Sequence, residues 1–125
     1  YKNEKRIISL GFVDLEEKTN ALASCDIFCL PSSQESFGGV YTEAWSFKKP
    51  VIGCNIPAVS EIIESGENGI LINQDSNEIG KSIIDLLHDD RLRIKFGESG
   101  YQKVKDKYSW ERLSAITKNA YKQLI

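Results

Sequence analysis

Residues 26–54 read DIFCLPSSQESFGGVYTEAWSFKKPVIGC. Two short apolar runs, DIFCLP and PVIGC, enclose a polar loop and a longer segment with helical spacing. Pro31 stops the first run, and Pro50 stands where the helical segment must end. Within GGVYTEAWSFKK (38–49), Val40, Ala44 and Phe47 recur at spacings of four and three, which predicts a helix burying those residues. Strands that are apolar throughout, joined by a helix, make the crossover unit of a parallel sheet covered on both faces.

The same alternation extends outward. RIISLGF (6–12) predicts a strand ending at Gly11. DLEEKTNALAS predicts a helix capped by Asp14, with Glu17 completing a capping box and Leu15, Leu22 and Ala23 inward. NIPAVSEIIESG predicts a helix with Pro57 in its first turn and Gly66 as its C-cap. ENGILIN (67–73) gives a turn and a fourth strand. SNEIGKSIIDLLHDD is amphipathic through Ile79, Ile83, Leu86 and Leu87, and His88 falls near its C-terminus. RLRIKFGESGYQKVKDKY continues as helix, weakened at Gly97 and Gly100. SWERLSAITKNAYKQLI starts at Ser109 and aligns Leu113, Ile116, Ala120 and Leu124; Trp110 and Tyr121 are expected to pack into the core. The order β-α-β-α-β-α-β-α-α-α defines an α/β fold, a Rossmann-like, doubly wound parallel sheet with helices on both faces.

Composition narrows the function. The chain has 125 residues, 41% hydrophobic and 27% charged, with a net charge of -2. That length suits one compact domain or part of a larger one. Acids and bases are interspersed, which argues against nucleic-acid binding. No apolar run reaches the roughly 20 residues that span a bilayer. The three cysteines, Cys25, Cys29 and Cys54, sit in apolar contexts and are expected as buried free thiols, which suits a cytoplasmic location. His88 is the only histidine, so a triad or a histidine-based metal site has little material.

The loop between the first two core runs has the chemistry. Ligands in open α/β sheets bind beyond the carboxyl ends of the strands. Glu35 lies there. Gly38 and Gly39 open the next helix and leave backbone amides bare, which with the helix dipole suits a phosphate. Glu43 lies one turn on, sharing a face with Gly39 and Val40, and its carboxylate suits paired hydroxyls such as a ribose diol. The chain has neither G-x-G-x-x-G nor the P-loop pattern. A chance pair of solvated glutamates at an ordinary glycine helix start is the competing reading.

At E-S-F-G-G-V-Y-T-E the chain resembles the E-x7-E motif of retaining glycosyltransferases of the GT-B fold, especially family 4 (group 1). L-G-F-V (10–13), D-I-F-C-L-P-S (26–32), E-A-W-S-F-K-K-P-V-I (43–52), E-I-I-E-S-G-E-N-G-I-L-I (61–72) and K-Y-S-W (107–110) extend the likeness over residues 7–122. The resemblance implies that residues 1–125 are a partial C-terminal, nucleotide-sugar-binding domain of a GT-B enzyme. It implies transfer of a sugar from a nucleoside-diphosphate sugar to an acceptor with retention, without a cofactor or bound metal. Glu35 would contact the transferred sugar and hold developing positive charge. The amides of Phe37, Gly38, Gly39 and Val40 would face sugar hydroxyls and diphosphate. Glu43 would bind the ribose, and Phe12 and Val13 would lie near the base. Ordinary packing is the alternative for Phe12 and Val13, and a core plug for Phe37.

The chain also departs from that pattern. Lys48 stands where the family commonly has glycine, and Pro57-Ala58 replaces a frequent Gly-Gly. The family's cationic diphosphate clamp and its N-terminal acceptor domain lie on upstream segments outside these residues. Family order would also put two strands between RIISLGF and DIFCLP, so the first strand is expected to be displaced, paired with another chain or rearranged. The 125 residues alone are therefore expected to be inactive. Cell-surface polysaccharide or glycolipid assembly is the implied setting, with the parent in the cytoplasm or at the inner membrane face. Peripheral membrane association of the parent and self-association of the fragment stay open. The competing functions are a non-catalytic nucleotide-binding or assembly module and a carboxylate-pair glycoside hydrolase.

Overall fold

The computed structural model describes residues 4–124. Three strands, β1 (Phe28–Leu30), β2 (Val51–Cys54) and β3 (Gly69–Ile72), form a parallel sheet in that spatial order. Phe28 pairs with Val51, and Val51 with Gly69. Around them lie α1 (Leu15–Ser24), α2 (Gly39–Ser46), the single turn α3 (Pro57–Ser60), α4 (Ser76–His88), α5 (Asp90–Lys103), a π-helical turn (Val104–Tyr108) and α6 (Trp110–Leu124).

Side chains alternate across the strands, as the pleat requires. Phe28, Leu30, Val51 and Leu71 enter a cluster with Leu22, Tyr41, Ala44, Trp45, Val59, Ile62 and Ile63. Ile27, Cys29, Ile52, Ile70 and Ile72 face the other way, against Ile79, Ile83, Leu86, Leu92 and Phe96. Both faces are covered, which explains why the strand sequences are apolar without interruption.

The buried stripe of α2 is Tyr41, Ala44 and Trp45; Ala44 is where expected, but Val40 is only partly buried and Phe47 is exposed, so Tyr41 and Trp45 replace them. Trp45 decides this phase. Its ring is fully buried, and its indole N–H donates to the Asn68 carbonyl at 3.0 Å. α5 lies directly over it. A Cβ on Gly100 would stand 2.1 Å from the Trp45 ring, and one on Gly97 would meet the Lys48 carbonyl oxygen at 1.9 Å. The glycines expected to weaken α5 are what allow it to approach α2. Lys48 itself has φ 55, the left-handed conformation that ends a helix most easily as glycine. Its ammonium reaches Glu98 at 2.9 Å and lies 5.0 Å from the Tyr101 ring centre.

Several expectations are corrected. Residues 6–12 form no strand, and Ile7, Ile8, Leu10 and Phe12 are exposed. β1 is an edge strand among the described residues, and residues 6–12 do not pair with its open edge. The third helix stops at Ser60 instead of running to Gly66. The Glu64 amide donates to the Asn68 side chain at 2.9 Å instead of continuing a helical ladder. Gly66, at φ 86, serves the turn into β3, with its amide on the Gly69 carbonyl. In α1 only Leu22 is buried; Leu15 and Ala23 are exposed.

α6 differs most. Trp110 is 83% exposed and Tyr121 65%, and no residue of the helix is buried. Its aligned apolar positions, Leu113, Ile116 and Leu124, are exposed too. Its start is as expected: the Ser109 hydroxyl accepts from the Arg112 amide at 3.3 Å. Asp14 likewise caps α1 by accepting from the Glu17 amide at 2.8 Å. Among the described residues, no helix is long and apolar enough to cross a membrane.

Candidate functional site

The loop of residues 31–38 leaves the carboxyl end of β1 and turns into α2. Two bonds fix it. The Tyr41 hydroxyl donates to the Leu30 carbonyl at 2.7 Å, and the Gln74 side-chain amide donates to the Pro31 carbonyl at 2.8 Å. The loops after β1 and β3 are therefore tied at the sheet edge where ligands bind in this class of fold.

Gly38 is the N-cap of α2, with φ 73 and ψ 39, and it is buried. A Cβ there would lie 2.8 Å from the Tyr41 ring. Glycine is needed for both the dihedral and the space. With no cap side chain, the amides of Gly39 and Val40 have no acceptor among the described residues. A Cβ on Gly39 would meet only the Phe37 ring, at 3.9 Å. The result is a bare helix N-terminus suited to an anion.

Glu35 is half-buried and enters none of the described hydrogen bonds. Burial, and then the charge of Glu35, push the Tyr41 phenol up to about 12. Glu43, on the outer flank of α2, has a different partner. Lys18 of α1 donates to its Oε1 at 3.0 Å, while Oε2 is buried and unpaired. The two carboxylates thus occupy different surroundings, one beside the loop and one in the α1–α2 groove.

A cavity of about 450 Å³ is lined by Leu10, Val13, Lys18, Phe28, Cys29 and Val40, among others. It joins Val13 to Val40 at the start of α2. Phe12 stays out of it, with a relative exposure of 110%. A smaller cavity, about 160 Å³, lies between α1 and α2 and includes Lys18, Glu43 and Phe47. Phe37 is 50% exposed and stacks edge-on against Tyr108 at 5.7 Å, so it is not a core plug. Wider hollows run along residues 8–13 with α1 and along α6, away from the glycine turn.

Sequence reasoning missed Lys18, Tyr41 and Gln74. Lys18 meets Glu43 across 25 positions, and no local pattern signals that pairing. Cys54 is buried and Cys25 and Cys29 partly so; all three are free thiols whose pKa burial raises. Among the described residues no cluster of three or more His, Cys, Asp or Glu could hold a metal ion.

These features define a Rossmann-like α/β domain with an anion-accepting helix start at its carboxyl edge. The profile of the family Glycosyl transferases group 1 matches residues 1–103, and the chain belongs to that family. An uncharacterized glycosyltransferase of Methanocaldococcus jannaschii, MJ1178, is 31% identical over 98% of this chain and 35% of its own length. The crystal structure of the C-terminal domain of a glycosyl transferase group 1 family protein (LpcC) from Francisella tularensis matches with TM-score 0.78 and 35% identity. That match covers 86% of this chain and 56% of the other. A variant of Staphylococcus aureus TarM, in complex with fondaparinux, alpha-GlcNAc-glycerol and UDP, matches with TM-score 0.80 and 27% identity. It covers 94% of this chain and 24% of TarM. The fold is that of the C-terminal domain of a GT-B protein. The chain spans about a third of the length of MJ1178, and less of several other relatives.

Proposed function

We propose that residues 1–125 supply part of the donor site of a retaining glycosyltransferase, which moves a sugar from a nucleoside-diphosphate sugar to an acceptor. The observation that carries this reading is the left-handed Gly38 cap. It leaves the Gly39 and Val40 amides open between two carboxylates at the carboxyl edge of a parallel sheet. Family membership and the likeness to a UDP-bound protein support it.

In this reading the diphosphate lies on the open amides. Charge builds on its oxygens as the glycosidic bond breaks, and fixed dipoles aimed there lower the barrier. Glu35 faces the transferred sugar and stabilises positive charge at the anomeric carbon. The acceptor attacks from the leaving-group side, and the departing phosphate takes the acceptor's proton. Glu43 accepts from the ribose hydroxyls, and Val13 borders the base. Phe12 approaches the base only if its exposed side chain is drawn in. No bound metal is invoked. The acceptor domain and the cationic clamp belong to other segments of the parent protein, which works in the cytoplasm or on the inner membrane face.

The test is titration of the complete protein with UDP, GDP and ADP, followed by transfer assays with the matching nucleotide sugars. Binding of at least one nucleotide is expected. Glu35→Gln is expected to lose transfer while keeping donor affinity. The 125 residues alone are expected to bind donor weakly and to show no turnover. Failure of all three nucleotides to bind the complete protein refutes the reading.

A further inference from the structure

The ion pair between Lys18 and Glu43 joins two elements that have few other reasons to meet at this point. α1 buries only Leu22, and its outer half is bare. Yet Lys18 Nζ lies 3.0 Å from Glu43 Oε1, with both side chains about half exposed. An exposed pair of this kind contributes only about 0–1 kcal/mol to folding, so stability is a weak reason for it. Glu43 Oε2 meanwhile is closed to water and has no donor. A carboxylate offers about four acceptor sites, and one described bond uses one of them. The group is therefore under-satisfied, with its charge held on one side only.

Lys18 also borders both cavities. It lines the space shared by Val13 and Val40, and the groove that contains Glu43. No other residue lines both of these except Leu22, which has no polar atom in its side chain. A cation there holds Oε1 in place without filling that oxygen's remaining acceptor sites.

We infer that Lys18 is a positioning residue for Glu43, holding one carboxylate oxygen so that the carboxylate is set to accept from the vicinal hydroxyls of a ribonucleotide. This rests on the donor-site reading above. It predicts selectivity for ribose over 2′-deoxyribose that depends on both residues, although only Glu43 touches the sugar.

The experiment uses the complete protein and whichever of UDP, GDP or ADP binds most tightly, together with its 2′-deoxy counterpart. Glu43→Ala should abolish the preference for ribose. Lys18→Met should weaken ribonucleotide binding about two- to fivefold, the range of one exposed ion pair. It should leave the deoxynucleotide affinity unchanged, and Lys18→Arg should restore the preference. Thermal melting checks that each variant is folded; Lys18 is exposed enough that none should unfold. Equal weakening of both ligands, no change, or tighter binding by Lys18→Met overturns the inference while leaving the donor-site reading intact if Glu43→Ala still acts. No effect of Glu43→Ala, or no binding of any of the three nucleotides, overturns both.

Discussion

Along α2, Tyr41, Ala44 and Trp45 are fully buried, whereas Gly39, Val40 and Glu43 on the other flank stay partly open. The inner flank is filled to contact: Trp45 touches α5 where glycine replaces any side chain, and its N–H is satisfied. The outer flank is the opposite. Two amides lack acceptors, and one carboxylate oxygen lacks a donor. Buried polar groups in a folded protein are ordinarily paired. Their concentration on one flank separates the part of the helix that holds the fold from the part that can take a ligand.

That contrast can be broken at the inner flank first. Gly100→Ala drives a Cβ into the Trp45 ring and should cost about 3 kcal/mol or more in chemical denaturation. Any ligand affinity should fall only in proportion to the unfolded fraction. Gly38→Ala stands at the junction. Its left-handed dihedral costs a residue with a Cβ about 1–2 kcal/mol, and the methyl group also meets Tyr41. Both stability and nucleotide binding should drop, which would mark it as shared by the two flanks.

The outer flank should behave differently. Glu43→Ala should lower nucleotide affinity about tenfold or more, the scale of hydrogen bonds to a charged group. Its melting temperature should hold or rise, because a buried unpaired oxygen is removed. A fall in stability comparable to that of Gly100→Ala would erase the distinction.

Alkaline titration probes the inner flank through Tyr41. Its phenol is pushed up to about 12 by burial and by Glu35. An unfolded tyrosine ionises near pH ~10, so above that pH the unfolded state binds fewer protons than the folded one. The stability from this group is complete below pH ~10 and declines as pH rises through the folded value. Glu35→Gln should reduce that alkaline decline. The smallest effect is expected at Lys48→Gly. Relief of the left-handed backbone and loss of the exposed Glu98 pair nearly cancel, leaving a small gain in stability.

The sequence made the central unit legible because its signals are local. Pro31 and Pro50 bound the crossover, Asp14 and Ser109 cap their helices, and the apolar strands declare two covered faces. The site loop was legible for the same reason: Gly38 and Gly39 mark a helix start, whatever lies nearby. Other expectations failed where local pattern is silent. RIISLGF has strand composition, but a strand exists only with a partner for its amides. SWERLSAITKNAYKQLI has an apolar stripe, but nothing described covers Trp110 or Tyr121. The phase of α2 turned on Trp45, whose neighbour α5 arrives about fifty residues later.

By itself, then, the sequence determined the α/β class, the glycine helix start and the placing of Glu35 and Glu43 around it. These follow from backbone dihedrals, caps and side-chain period, which short stretches specify. The tertiary structure alone decided which flank of α2 is buried, that the Tyr41 hydroxyl ties α2 to the end of β1, and that Lys18 holds Glu43. Those depend on contacts between segments distant in the chain, where packing and charge pairing act only once the fold has brought them together.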